Sequence, residues 1–210
     1  MLRKVVLVPL ILVGLLGIGC NTPVTEPGNT TSAELSQAKP YIVLGEGNIA
    51  NEAKDRTVGL WFIVSQDADS FEEYAETAIQ AVCDLYRLHG RVYTSVILIP
   101  NPELEYALSY AHASYAADGK GALGMTGSAP ANPMYWRVYA TDHPCTEQEL
   151  SIAELWWKKI PDFPSKDPFS SLSYDMEALR QYVSDTLDIP IEEVVFPEVS
   201  YRDYEYDDRL

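Results

Sequence analysis

Basic side chains are scarce in this chain: 15 Lys and Arg stand against 31 Asp and Glu, a formal net charge of -16. Neutralising phosphates takes clustered Lys and Arg, so nucleic-acid binding is excluded first. The acidic field favours solubility and repels anionic headgroups. Histidine is scarcer still, with His89, His112 and His143 alone, none of them in a recognised metal-ligand spacing. G-x-S-x-G and H-E-x-x-H do not occur, and paired carboxylates are not separable by sequence from so many acids. No catalytic residue, metal ligand or cofactor is therefore assigned. The longest apolar run, Val5 to Ile18, is shorter than the roughly 20 residues a spanning helix needs, and no internal repeat is visible.

That run has another use. Arg3 and Lys4 make a positive start, the apolar stretch has signal-peptide length, and Gly17 and Gly19 leave a narrow backbone before Cys20. The segment Leu16-Gly17-Ile18-Gly19-Cys20 resembles the lipobox of bacterial lipoproteins, with one departure: the usual Leu three places before the cysteine is Gly17. The resemblance implies cleavage of residues 1–19 and lipidation of Cys20. Two or three acyl chains, at about 0.8 kcal/mol per buried CH2, hold a soluble domain on a bilayer. Asn21 is not the Asp that retains such proteins on an inner membrane, which points to the outer membrane of a Gram-negative envelope. Cleavage takes two of the 15 basic residues, leaving 13 against 31 acidic ones, net -18.

Residues 20–39 read as the lipidated cysteine and a disordered tether, rich in Thr, Ser, Pro and Asn. Its r.m.s. reach is about 25 Å. Cys83 and Cys145 remain in a compartment that permits disulfides. Joined, they would close a loop of about 60 residues, worth about 4 kcal/mol in the chain-entropy account. Left apart, they are two buried free thiols, which the apolar neighbours of Cys83 favour.

Residues 40–160 read as one α+β domain. Tyr41 to Leu44 is a strand, followed by Gly45-x-Gly47-x-x-Ala50. That spelling of a dinucleotide fingerprint lacks the helix whose N-terminus would carry a pyrophosphate, so a turn is expected. Thr57 to Ser65 is a nearly continuous apolar strand. Ser70 and Glu73 have capping-box spacing for a helix over 71–89 that Gly90 stops; His89 in its last turn would oppose the helix dipole. Arg91 to Ile99 is a second apolar strand, and its short links to the helix make a parallel crossover economical. Leu104 to Ala117 is ambiguous, because Asn101-Pro102-Glu103 suits a helix start while large and small residues alternate with a strand's period of two.

The order Arg56-Thr57-Val58, Ser70-Phe71-Glu72-Glu73, Ala111-His112-Ala113-Ser114-Tyr115-Ala116-Ala117-Asp118-Gly119-Lys120-Gly121 and Tyr135-Trp136-Arg137-Val138 resembles an uncharacterised family of small α+β domains of unknown function from bacterial envelope and phage proteins. The resemblance spans Tyr41 to Thr141. It implies a strand over 104–117 and carries no established activity or catalytic residue. Residues 118–133 follow as a loop whose Lys120-Gly121 is no P-loop. Met134 to Thr141 is a strand, and Thr146 with Glu149 caps a helix reaching Ile160. Residues 161–210 read as a C-terminal extension: a Pro-rich break, one helix with the stripe Met176, Leu179, Val183 and Leu187, and a frayed acidic tail from Tyr201. The fold expected is a single mixed sheet of about five strands packed by two helices.

Two clusters remain. Asp142-His143-Pro144-Cys145 is dense in polar groups but needs a third ligand or orienting residue to bind metal or act as a nucleophile, and a turn is the simpler reading. Among the aromatics of the second half, Tyr106, Tyr110, Tyr135 and Trp136 are candidates for a surface that holds a protein or glycan partner. The bland rival is that Tyr and Trp suit half-buried strands. The sequence thus expects a lipid-anchored envelope protein with a non-catalytic binding or structural domain, beside two competing readings: a periplasmic hydrolase and a component of an envelope or virion assembly.

Overall fold

A computed structural model describes residues 35–47, 56–121, 127–128, 130–165 and 174–210. The signal segment, Cys20, the tether up to residue 34 and the end of the Gly-x-Gly-x-x-Ala stretch lie outside the described residues. Among the described residues no helix is long and apolar enough to cross a membrane.

The chain is α+β, with six strands in one mixed sheet: β1 (Ile42–Glu46), β2 (Val58–Val64), β3 (Tyr93–Ile99), β4 (Ala111–Ala116), β5 (Trp136–Ala140) and β6 (Arg202–Asp203). They lie side by side in chain order, and every neighbour pair is antiparallel except β2 with β3. The parallel pair is joined through helix α1 (Phe71–His89). Ser70 starts α1 by accepting from the Glu73 N–H, and Gly90, at φ 61°, ends it in a conformation an L side chain resists. The Glu73 carboxylate accepts from the N–H of Asp69 rather than from that of Ser70, so only half of the expected capping box forms.

Because β2 and β3 are apolar on both sides, the sheet has two apolar faces. One carries Trp61, Ile63, Val96, Leu98, Ala111, Ala113, Tyr115, Trp136 and Val138, and α1 packs on it through Ala75, Ala78, Ile79 and Val82, all fully buried. The small Ala111 and Ala113 of β4 let the helix sit close, while Tyr115 packs edge-on to Tyr86 of α1. Helices α2 (Glu147–Lys159) and α3 (Met176–Leu187) pack on each other through Ile152, Trp156, Leu179 and Val183. Thr146 and Glu149 form the complete capping box at the start of α2.

Two expectations are corrected. Leu104 to Tyr110 is not strand: Asn101 caps a 3-10 turn at Pro102–Leu104, Leu104 is buried against Ala153 of α2, and Tyr106 at φ 73° breaks any ladder. The alternating sizes are regular strand only from Ala111. The tail is not frayed either. It supplies β6 and then lies along the α1 side, where Tyr204 packs on Phe71 and donates to Glu76, and Tyr206 packs edge-on to Trp136. The Asp208 carbonyl accepts from the Trp136 indole, and Arg209 lies over Tyr135.

The opposite chain end behaves alike. Within the expected tether, Gln37 N–H donates to Glu76 at 2.7 Å and Lys39 N–H to Thr77 at 2.8 Å. Glu76 is buried at 7% exposure because both ends of the domain close over it.

Candidate functional site

The second sheet face is not covered by α1. Toward the β1 edge it forms an open groove of about 400 Å³, floored by Leu60, Phe62, Ile97 and Ile99 and walled by the 106–109 loop and by Pro197, Val199 and Tyr201. Tyr106 stands edge-on to Phe62 at 4.7 Å between centroids and is 67% exposed. Its positive φ is uncommon for a residue with a large side chain, and such conformations persist where the surroundings impose them. Tyr201 closes the other wall, held by hydrogen bonds to the hydroxyl and carbonyl of Ser109 at 2.7 and 2.9 Å.

Beside the groove, on the same face, lies a polar relay. Ser95 Oγ is 2.6 Å from His112 Nε2, and His112 Nδ1 is hydrogen-bonded to the Tyr139 hydroxyl, whose ring packs against Tyr201. A neutral imidazole donates from one nitrogen only, so one hydroxyl accepts from it and the other donates to it. Burial, and then the Arg137 charge, push the His112 pKa down to about 4. Such an imidazole is a weak general base at neutral pH. Ser95 also sits mid-strand between β2 and β4, with ladder partners on both sides, so no free backbone N–H stands ready as an oxyanion donor. The relay therefore gives the face a hydrogen-bonded floor, not an activated nucleophile.

The same shift makes stability pH-dependent. Between the unfolded pKa of 6.5 and the folded value of about 4, the unfolded chain binds the proton that the folded chain refuses, so stability falls as pH drops through this window. Between pH 7 and pH 5 the loss from His112 is about 2 kcal/mol. Urea unfolding at the two pH values measures it, and His112→Asn is expected to remove that increment.

At the far end of this face, Arg56 and Asp118 form an ion pair with two short contacts, 2.9 Å from Nε and 3.0 Å from Nη2. The Arg56 side chain is 1% exposed and lies over Tyr93. This pair joins the Arg56-Thr57-Val58 and Asp118-Gly119 motifs.

The four aromatic candidates do not form one surface. Tyr110 is buried against Tyr74, and Trp136 against Tyr115 and Tyr206, both on the α1 side; Tyr135 is half-buried beneath Arg209. Of the four only Tyr106 lines the groove. Leu60, Phe62, Ile97, Ile99, Leu108, Val199 and Tyr201 were not singled out by sequence; the double-sided apolarity of β2 and β3 is the signal that points to them.

Cys83 and Cys145 are free thiols, not a disulfide. Cys83 is buried on α1 and Cys145 is half-buried in the turn before α2. His143 is exposed and Asp142 pairs with Arg202. Among the described residues no three His, Cys, Asp or Glu side chains converge. A further hollow of about 340 Å³ near Asp162 and Asp175 offers no free acid, since Lys159 pairs with the first and the second caps α3.

A single-sheet α+β domain with one sealed face and one grooved face is the class that this geometry defines. The chain belongs to the family described as Domain of unknown function (DUF4875), which matches residues 36–199. The match takes in α2 and α3, so it runs well past the Thr141 limit of the sequence resemblance. A crystal structure of a DUF487 family protein from Desulfovibrio piger is similar in fold: TM-score 0.61 at 24% identity, covering 81% of this chain and 97% of that one. No curated protein matches.

Proposed function

We propose that this protein is a lipid-anchored component of the bacterial cell envelope whose domain binds a partner without catalysis, through the groove over Leu60, Phe62, Ile97 and Tyr106. The observation that carries the reading is the open apolar face itself. The groove of about 400 Å³ is within the size range of ligand clefts and carries a 67% exposed tyrosine at its lip. The anchor rests on Arg3, Lys4, the apolar stretch and Cys20.

Site-specific photo-crosslinking tests the surface. With a benzophenone amino acid at position 106 in intact cells, a discrete adduct is expected, and none with the same group at Leu88, which is 73% exposed on α1. Equal adducts at both positions, or none at 106, would contradict the reading. Cys20→Ser tests the anchor separately: the variant is expected to leave the membrane fraction, and continued membrane retention after export would remove it.

A further inference from the structure

Acidic residues flank the groove in its two wall segments, while the Arg137 guanidinium stands over Tyr139 on the same sheet face. Glu105 precedes Tyr106, Glu198 separates Pro197 from Val199, and Glu103 stands in the 3-10 turn before them, the last two exposed. None of the three is in an ion pair among the described residues. Among the described residues no Lys or Arg lines the groove, and the whole chain carries -16.

Its open end has a second property. Gly45 and Gly47 lie across from Phe62 and Leu60 and give this face no side chains; a Cβ at Gly45 would meet nothing within 4 Å. The groove therefore runs out to β1, which has no further strand beyond it among the described residues. Ile42 and Val43 there are 56% and 42% exposed. The N–H and C=O groups of an edge strand match another extended polypeptide, and a lipid tail or a sugar has no such repeat.

We infer that the occupant of the groove is an extended, cationic, apolar polypeptide segment of a partner. Paired on the β1 edge, it sends alternate apolar side chains across Gly45 and Gly47 toward Phe62 and Leu60, and its flanking Lys or Arg residues meet the acidic field to which Glu103, Glu105 and Glu198 contribute. The inference rests on the binding function proposed above and names the partner's chemistry. Complementary charge raises the encounter rate and selects against acidic segments.

The test uses the full chain in dodecyl maltoside and three labelled nonapeptides, read by fluorescence anisotropy against detergent alone. The first is acetyl-Lys-Lys-Val-Phe-Val-Tyr-Val-Lys-Lys-amide, the second has Glu for every Lys, and the third keeps Lys but has Ser for every apolar residue. The first is expected to bind at least about 10-fold more tightly than either other peptide. The E103Q/E105Q/E198Q variant is expected to weaken it about 10-fold, in line with a few rim charges at a few tenths to one kcal/mol each. Gly45→Trp, whose side chain enters open space, is expected to abolish it. Equal binding of the Glu-flanked peptide, or Lys-peptide binding that survives both Gly45→Trp and Tyr106→Ala, would overturn the inference. If no peptide binds while position 106 still crosslinks in cells, the cationic partner falls and the binding surface stands.

Discussion

Asp118→Ala is expected to destabilise the domain by about 3–5 kcal/mol, the largest effect of any single substitution considered. The reason lies in the partner it abandons. The Arg56 side chain is 1% exposed, and both of its contacts to Asp118 are 3.0 Å or shorter. Asp118 supplies both carboxylate oxygens of this pair, whereas the Gly121 carbonyl at 3.4 Å and the Tyr93 ring are neutral neighbours. Removing one member of a buried ion pair leaves an uncompensated charge in a poorly solvated place, whereas replacing both by apolar groups is often nearly neutral. Thermal unfolding of Asp118→Ala is therefore expected to drop by about 10 °C or more. The double variant Arg56→Met, Asp118→Leu is expected to recover most of the loss. A single variant within 1 kcal/mol of the parent would show that the pair is solvated.

Truncation after Asp203 is expected to cost on the order of 4 kcal/mol and to expose Trp136. The segment removed contains Tyr204, Tyr206 and Leu210, which pack against the same core as Ile79 and Val82. It also contains the carbonyl of Asp208 that accepts from the Trp136 indole. Without it the buried carboxylate of Glu76 loses the Tyr204 hydroxyl, at 2.9 Å, and keeps only the Gln37 N–H. The truncation retains Tyr201 and β6, so the groove wall is left in place. Urea unfolding gives the energy, and a red shift of tryptophan emission, with Trp61, Trp156 and Trp157 as constant background, reports the uncovered ring. A tail that merely frays would leave both unchanged.

These two predictions mark what the sequence could and could not tell. The bounds of α1 were legible because Ser70 and Gly90 each do a job that few other residues do at a helix end. The apolar runs of β2 and β3 were legible as strands because β-branched residues crowd them. The stretch from Leu104 was misread because alternating large and small residues imitate a strand, while Asn101-Pro102 and the backbone of Tyr106 turn it away from the sheet until Ala111. The tail was misread because its charges drew notice and its period did not: Tyr204 and Tyr206 alternate with acids, as in a strand with one wet side. The groove was hardest to foresee. Its walls come from residues 60–62, 97–99, 106–109 and 197–201, and only the topology brings those four segments together. Pairing Arg56 with Asp118 across 62 residues likewise had no local sign, although both residues stood in the motifs that marked the family.

The account depends on the two faces of one sheet having different fates, one sealed by α1 and the chain ends, the other left open for a partner. Methyl-resolved NMR of the full chain, titrated with the Lys-flanked nonapeptide, compares them in a single experiment. Signals of Leu60, Ile97, Ile99, Leu108 and Val199 are expected to move with added peptide while those of Ile63, Val96, Leu98 and Val138 stay in place. Movement on the α1 side alone, or on neither face, would contradict it.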